Sequence, residues 1–464
     1  MDNLAQALSF LARFFVGIGL GFGHGGTLAG NAINCRETRL AFPSCIGHVP
    51  AMASSPVESR FPMGAREFVF LMAMLQALQA LAIDAMLPAL GVISHDLGVS
   101  DPNRRQLIVG IFLIGIGLGA LVPGALADRF GRRPVLFGCL AFYILPMAAC
   151  AVVTEFNTLI VLRLIQAMGC SGLAVVPMAI IRDRFEGDRM ARTQSLIAVM
   201  FMIVPMIAPT LGQAILITAG WRWIFGFMAL LGIIVAVWAW LRLPETLHPE
   251  YRQKIEPRVI AANMGQVLTT RASIGYVLAS ALMMSSIWGF INSSQQLIAE
   301  HFGAGSTFPY VFGGMAMAMA SANFINSRIV EKFGTRRVSH TGLLIFIGAG
   351  MMQVWRAFDP QETLWQFVPL MALNMGLIGF MGANFSAIAL QPFARVAGAA
   401  ASVQAFIRTI IASFVGAAIG QSFDGTARPL ALALLTAGVL SLLLVLYSER
   451  GKLFRRLNPP PLKS

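Results

Sequence analysis

Two side chains of opposite charge, Asp84 and Arg163, stand inside long apolar runs of this sequence. Asp84 lies within Phe68 to Ile93, with no other acid or base between Glu67 and His95. Every other one of the 21 Asp and Glu falls in a loop, at a terminus or at the boundary of an apolar run. A charge at bilayer depth costs several kcal/mol, so an acid kept there is a functional candidate by default. Burial favours the protonated form of a carboxylate and a neighbouring cation favours the ionised form. An acid held between the two can load and release a proton near neutral pH, and a cationic or hydrogen-bonding substrate would compete with that proton. The plainer alternative is a structural acid locked to a basic partner. Arg163 shares one helical face with Gln166, Ala167, Cys170 and Ala174 at i+3, i+4, i+7 and i+11. Asp84 is the one intramembrane acid available to it. The pair therefore predicts a switchable coupling, direct or through Gln166 or water; the alternative is that Arg163 bonds backbone carbonyls and braces its helix bundle.

Other polar positions have weaker signals. Trp288, Asn292 and Gln295 fall on one helical face, Gln404 and Arg408 are four residues apart, and Gln76 and Asn384 are isolated in apolar runs. Ligand pockets are mostly apolar and aromatic with a few placed polar groups, so this set, with Gln166, is the candidate substrate cavity. Intramembrane Asn and Gln also join helices by hydrogen bonds, which is the competing reading for each. Pro205, Pro209 and Gly212 lie in one apolar run, where proline removes a backbone bond and predicts a kinked, interrupted helix. The five cysteines show no ligand spacing and the histidines His95, His248, His301 and His340 fall at loops or boundaries. No metal site, cofactor or catalytic constellation is expected.

These residues must be held by membrane helices. Hydrophobic residues make up 57% of the 464-residue chain and charged ones 12%, about half of what soluble domains carry. Runs of about 20 apolar residues place twelve spans near 67–93, 106–127, 134–153, 157–182, 194–218, 222–241, 273–297, 306–329, 338–356, 364–391, 397–423 and 427–448. With both termini cytoplasmic, the inner loops and tail hold 22 of the 34 Lys and Arg and the outer loops five, a positive-inside asymmetry. It explains the net charge of +13 without nucleic acid, for which no basic soluble domain exists.

The chain repeats itself. Gly124-Ala-Leu-Ala-Asp128-Arg129-Phe130-Gly131-Arg132-Arg133 joins spans two and three, and Ser327-Arg328-Ile-Val-Glu331-Lys332-Phe333-Gly334-Thr335-Arg336-Arg337 joins spans eight and nine. Gly131 and Gly334 are 203 residues apart. The predicted architecture is all-α, with six-helix bundles at 63–243 and 272–448, a cytoplasmic linker at 244–271 and a basic tail at 449–464. Such parallel repeats place a substrate site near the midplane between the halves. Residues 1–62 read as a disordered extension or a misassigned start.

The loop from Gly124 to Arg133 resembles the signature of the major facilitator superfamily. Ile83-Asp84-Ala-Met-Leu87-Pro88, Leu162-Arg163-Leu-Ile-Gln166-Ala-Met-Gly169 with Ile181-Arg182-Asp183, and Trp221-Arg222-Trp223-Ile224-Phe225 resemble its bicyclomycin-resistance (Bcr/CflA) branch. Val204-Pro205-Met-Ile-Ala208-Pro209-Thr-Leu-Gly212 resembles the antiporter motif of span five, although Ala208 and Gln213 stand where the family often has glycine. The resemblance covers about Glu67 to Glu449. It implies proton-coupled efflux of small amphipathic drugs across the inner membrane by alternating access, from a monomer whose partners are substrate, protons and lipid. It also implies a cytoplasmic gate in which Gly124 lets helices approach, Asp128 faces the N-terminus of span eleven near Ala397 to Ala400, and Arg132 and Arg133 pair with Asp183. Pro205, Pro209 and Gly212 would limit leak. A proton-symporting importer and a non-transporting sensor are the rivals. An intramembrane enzyme lacks its acid/base pair, and no phosphate-binding loop supports ATP drive.

Overall fold

The protein is all-helical in the computed structural model, which describes residues 63–454 except 100, 102, 186, 249 and 251–256. The extension at 1–62 and the tail beyond Phe454 lie outside the described residues. A backbone in hydrocarbon must satisfy its own polar groups, and the helix does this within one segment. The first half contains α1 (Ala65–Asp84), α2 (Leu90–Asp96), α3 (Leu107–Gly119), α4 (Val122–Phe130), α5 (Arg132–Cys150), α6 (Phe156–Arg184), α7 (Gly187–Ala219) and α8 (Trp221–Arg242). A helix within the linker, α9 (Pro257–Thr269), leads to the second half. There follow α10 (Arg271–Gln295), α11 (Phe308–Phe333), α12 (Thr335–Ala357), α13 (Leu364–Leu390), α14 (Ala397–Gln421) and α15 (Arg428–Ser448).

Among the described residues ten helical runs are long and apolar enough to cross a membrane, and an eleventh forms if the bent pair α3–α4 is one span. The bend of 42° is a departure from the single straight run read at 106–127. Its cause is Pro123, at the start of α4, which cannot donate to the Gly119 carbonyl four residues back. Pro88 acts alike in the first span. It denies a bond to the carbonyl of Asp84, α1 ends there, and a 3₁₀ turn at Leu87–Ala89 carries the chain into α2. Pro205 and Pro209 behave otherwise: α7 runs unbroken through both, so the interruption expected there is absent. Among the described residues, Ile203–Ala219 is an apolar stretch of this helix.

The two halves repeat the same packing. In the first, α5 packs on α6, α3 on α6, α1 on α7 and α5 on α8; in the second, α12 packs on α13, α11 on α13, α10 on α14 and α12 on α15. Gly416 follows Gly212 by 204 residues, and Gly289 follows Ala85 by the same 204. A Cβ on Gly212 would overlap the Ala85 carbonyl, and one on Gly416 would press Trp288 and the Gly289 nitrogen. Between the halves, α3 packs on α14 and α7 on α11.

Candidate functional site

Asp84 occupies the last turn of α1, 4% exposed, where Pro88 has just broken the span. Its carboxylate takes part in no hydrogen bond or ion pair among the described residues. Gly212 brings α7 against the next residue, Ala85, more closely than any side chain would permit. The span-five motif is thus a contact with the broken end of α1, beside the acid.

Arg163 is fully buried on α6. Nη1 donates to Gln166 Oε1 at 2.7 Å, Nη2 to the Ala82 carbonyl at 3.0 Å, and Nε to the Ile108 carbonyl at 3.5 Å. The guanidinium lies over Phe112, 4.1 Å from the ring centre. In this arrangement it does not pair with Asp84. It holds the helix that carries Asp84 by a carbonyl two residues earlier. Gln166 turns its amide nitrogen to Met147 Sδ at 3.3 Å.

At the loop between α4 and α5, Arg132 Nη1 meets Asp128 Oδ1 at 2.5 Å and Nε meets Asp183 Oδ2 at 2.9 Å. Gly131 makes the turn with φ +108, and a Cβ there would collide with Glu245. The Glu245 carboxylate caps α5, accepting the backbone N–H groups of Arg132 at 2.9 Å and Arg133 at 3.1 Å. Arg133 does not reach Asp183. It donates to the Trp240 carbonyl at 2.8 Å and lies over the Trp240 ring. Arg129 is exposed over Phe130. Gly124 has only ordinary contact, its would-be Cβ 3.4 Å from Val175; the close approach is made by Gly115 and Gly119 against α6. Asp128 is engaged by Arg132, and of the stretch Ala397 to Ala400 that it was expected to face, the side chains of 397–399 lie outside the described residues.

The second-half polar residues separate into two groups. Asn292 and Gln295 face the first half: a Cβ on Gly110 would lie 3.6 Å from Asn292 Oδ1, and one on Gly91 3.6 Å from Gln295 Nε2. Trp288 packs between α10 and α14 against Gly416. Arg408 instead lines a cavity of about 170 Å³ within the second half, with Ser280, Asn323 and Met283 among its walls. Asn384 bonds Asn326 Oδ1 at 2.9 Å. Gln404 and Gln76 each keep a buried amide nitrogen without a partner among the described residues.

The Major Facilitator Superfamily profile matches residues 72–417. The chain belongs to that superfamily. This superfamily member is 27% identical over 380 residues to a bicyclomycin resistance protein homolog of Haemophilus influenzae, covering 81% of this chain and 94% of that protein. It is 30% identical over 325 residues to the multidrug resistance protein MdtL of Klebsiella pneumoniae, covering 69% of this chain and 80% of that one. A chloramphenicol resistance protein of Pseudomonas aeruginosa is 27% identical, with 79% and 86% covered. Among solved structures, a bacterial homolog of the human lysosomal transporter Spinster superposes with a TM-score of 0.65 at 15% identity, covering 83% of this chain and 96% of that one. The protein is a multi-span membrane transporter and not an enzyme.

This transporter holds contacts that its sequence did not disclose. Arg105, just before α3, forms an ion pair with Glu300 across the halves. Asn103 Nδ2 donates to the Phe423 carbonyl and Gln421 Nε2 to the Asn103 carbonyl, each at 2.9 Å. Ser413 Oγ reaches the Leu113 carbonyl at 2.8 Å. Charges at loop edges 195 residues apart (Arg105 and Glu300) give no local signal of pairing. His340, read as a boundary residue, is buried in α12. Its Nδ1 accepts the Phe454 N–H at 3.1 Å, and its Nε2 meets Tyr276 Oη at 2.9 Å. Tyr276 donates to Glu449, which also takes Arg336 Nε at 2.6 Å.

Proposed function

We propose that this protein is a proton-driven exporter of small amphipathic molecules, a twelve-span monomer of the inner membrane with both termini cytoplasmic. The observation that carries the reading is Asp84: a buried carboxylate without a partner among the described residues, at a proline-made break in a membrane helix, against the glycine of the span-five motif. An acid so placed exchanges a proton with the space between the halves and loses it most readily when a cationic or hydrogen-bonding substrate takes that space. Arg163 acts on this exchange through α1, since its bond to the Ala82 carbonyl positions the last turn that bears Asp84. The names of the drug-resistance relatives support efflux as the direction.

Alternating access supplies the cycle. The bonds between the halves gather toward the end that carries Asn103, Arg105, Glu300, Gln421 and Phe423. The distribution of Lys and Arg supports an outer position for this end, and in that orientation the arrangement is closed outside and ready to receive substrate from the cytoplasm. Opening outward would part Arg105 from Glu300, while the Arg132 cluster at the other end stiffens the first half. Twelve crossings follow if α3–α4 and α7 each cross once beside the ten longer runs.

Everted vesicles with an acidified lumen test the proposal. Addition of a transported antibiotic should raise lumenal pH only where the protein is present. A fall in lumenal pH on adding a compound would mark a symporting importer, and silence across a broad panel of antibiotics and metabolites would contradict proton coupling.

A further inference from the structure

Arg408 is a cation in the wrong surroundings for a structural residue. It lies on α14 inside the second half, and no Asp or Glu is among the described residues lining its cavity. It forms no ion pair among the described residues. Nη1 reaches Ser386 Oγ at a long 3.3 Å, and Nε is buried with no partner among the described residues. A guanidinium left this way in a low-dielectric bundle costs free energy that a well-made structural bond would have recovered. The rest of the cavity is built for an apolar body. Met283, Met284, Ile287 and Ile378 form adaptable and branched walls, while Ser280 and Asn323 add polar points. Gly379 and Gly382 keep α13 low on one side. A Cβ at Gly379 would press Asn323 and the Met319 carbonyl, whereas one at Gly382 would meet nothing within 4 Å and project into open space.

We infer that this cavity is a subsite for the anionic head of an amphipathic substrate, a carboxylate or similar planar oxyanion received by the fork of Arg408. The inference rests on the exporter reading and adds a substrate class to it. The guanidinium supplies parallel donors matched to a carboxylate, which a point charge such as lysine does not. At about 170 Å³ the space is smaller than the ~300–1,000 Å³ of pockets that enclose a whole drug. It therefore takes the charged head and an adjoining ring, with the remainder of the substrate lying between the halves. Asp84, in the other half, gives the first half no comparable affinity for anions.

The test uses the full-length purified protein and a matched pair of probes, 2-naphthoate and the neutral 2-naphthamide, with binding followed by calorimetry. A charge-assisted contact contributes enough that wild type should prefer naphthoate by about tenfold or more. Arg408→Gln should lose that preference while binding naphthamide within about twofold of wild type. Gly382→Leu, which fills the cavity and leaves the charge in place, should weaken both probes. Equal wild-type affinity for the two probes, or full naphthoate affinity in either variant, would overturn the assignment. Export of a neutral and a cationic compound is measured alongside. If these are exported while naphthoate is neither bound nor exported, the subsite fails and the exporter reading stands. If naphthoate binds through Arg408 while nothing is exported, the exporter reading fails and the subsite stands.

Discussion

The two halves make one helix contact twice and set different chemistry beside it. In the first, Gly212 of α7 closes on Ala85; in the second, Gly416 of α14 closes on Gly289. Asp84 precedes the first contact and Trp288, at the same 204-residue offset, precedes the second. Their buried arginines differ as sharply. Arg163 has a protein partner for each of its three kinds of nitrogen and an aromatic face beneath it. Arg408 has one long bond and an open cavity. The repeat preserves close packing, where any added atom clashes, and leaves charge free to diverge. One half has a buried acid and an arginine engaged by the protein; the other has an arginine that lines a cavity and makes one long bond among the described residues.

The sharpest way to break this contrast is to truncate both arginines. Arg163→Ala leaves Gln166 and two backbone carbonyls short of donors inside the bundle, and should cost about 3–5 kcal/mol of stability. Arg408→Ala removes a cation that was already poorly satisfied, and should cost less than about 1 kcal/mol. Thermal unfolding in detergent compares them directly, and equal losses would refute the division into brace and ligand site.

The paired glycines sharpen the contrast at smaller effect. Gly212→Ala and Gly416→Ala each force an atom into a closed helix contact, and each should destabilise by about 1–3 kcal/mol. Only the first displaces the chain beside Asp84, so only Gly212→Ala should suppress substrate-induced proton release. Release lost equally in both variants would mean that overall rocking of the halves is being measured instead.

Much of this organisation was legible in the sequence, and for physical reasons. A membrane demands long apolar helices, so composition and run length set the class and most of the spans. Asp84 and Arg163 stand out because charge is rare at depth, and the Arg132–Asp183 contact is one that the resemblance to the superfamily signature implies. What was not legible is whatever depends on the spatial relation of distant segments. Asn292 and Gln295 show only a shared helical face, and nothing local in the sequence sets Asn292 beside Gly110 or Gln295 beside Gly91. Glu245 caps α5 from 113 residues beyond Arg132, a distance over which no local pattern signals contact. Proline also gives no fixed outcome: Pro88 and Pro123 lie at breaks, whereas Pro205 and Pro209 are carried within α7.

The smallest effect expected concerns Glu362, in the loop between α12 and α13. Partial burial pushes its carboxyl up to about 7, with Arg356 opposing and Asp359 assisting. Its folded pKa lies above the ordinary 4.5, so ionisation costs stability as pH rises from about 4.5 to 7, and the full cost is present above that. Glu362→Gln should therefore stabilise the protein slightly at pH 8 and leave it unchanged near pH 4, as followed by melting temperature against pH. A larger gain at low pH would reverse the sign and exclude this cause.

Asp84 itself permits the most direct test of the account. Purified wild type and Asp84→Asn, in weakly buffered detergent solution at neutral pH, are mixed with a substrate that both are shown to bind, and released protons are counted. The account predicts release on binding by wild type and none by Asp84→Asn, with the variant still folded. Equal release by the two proteins would contradict it, because the proton would then come from another group.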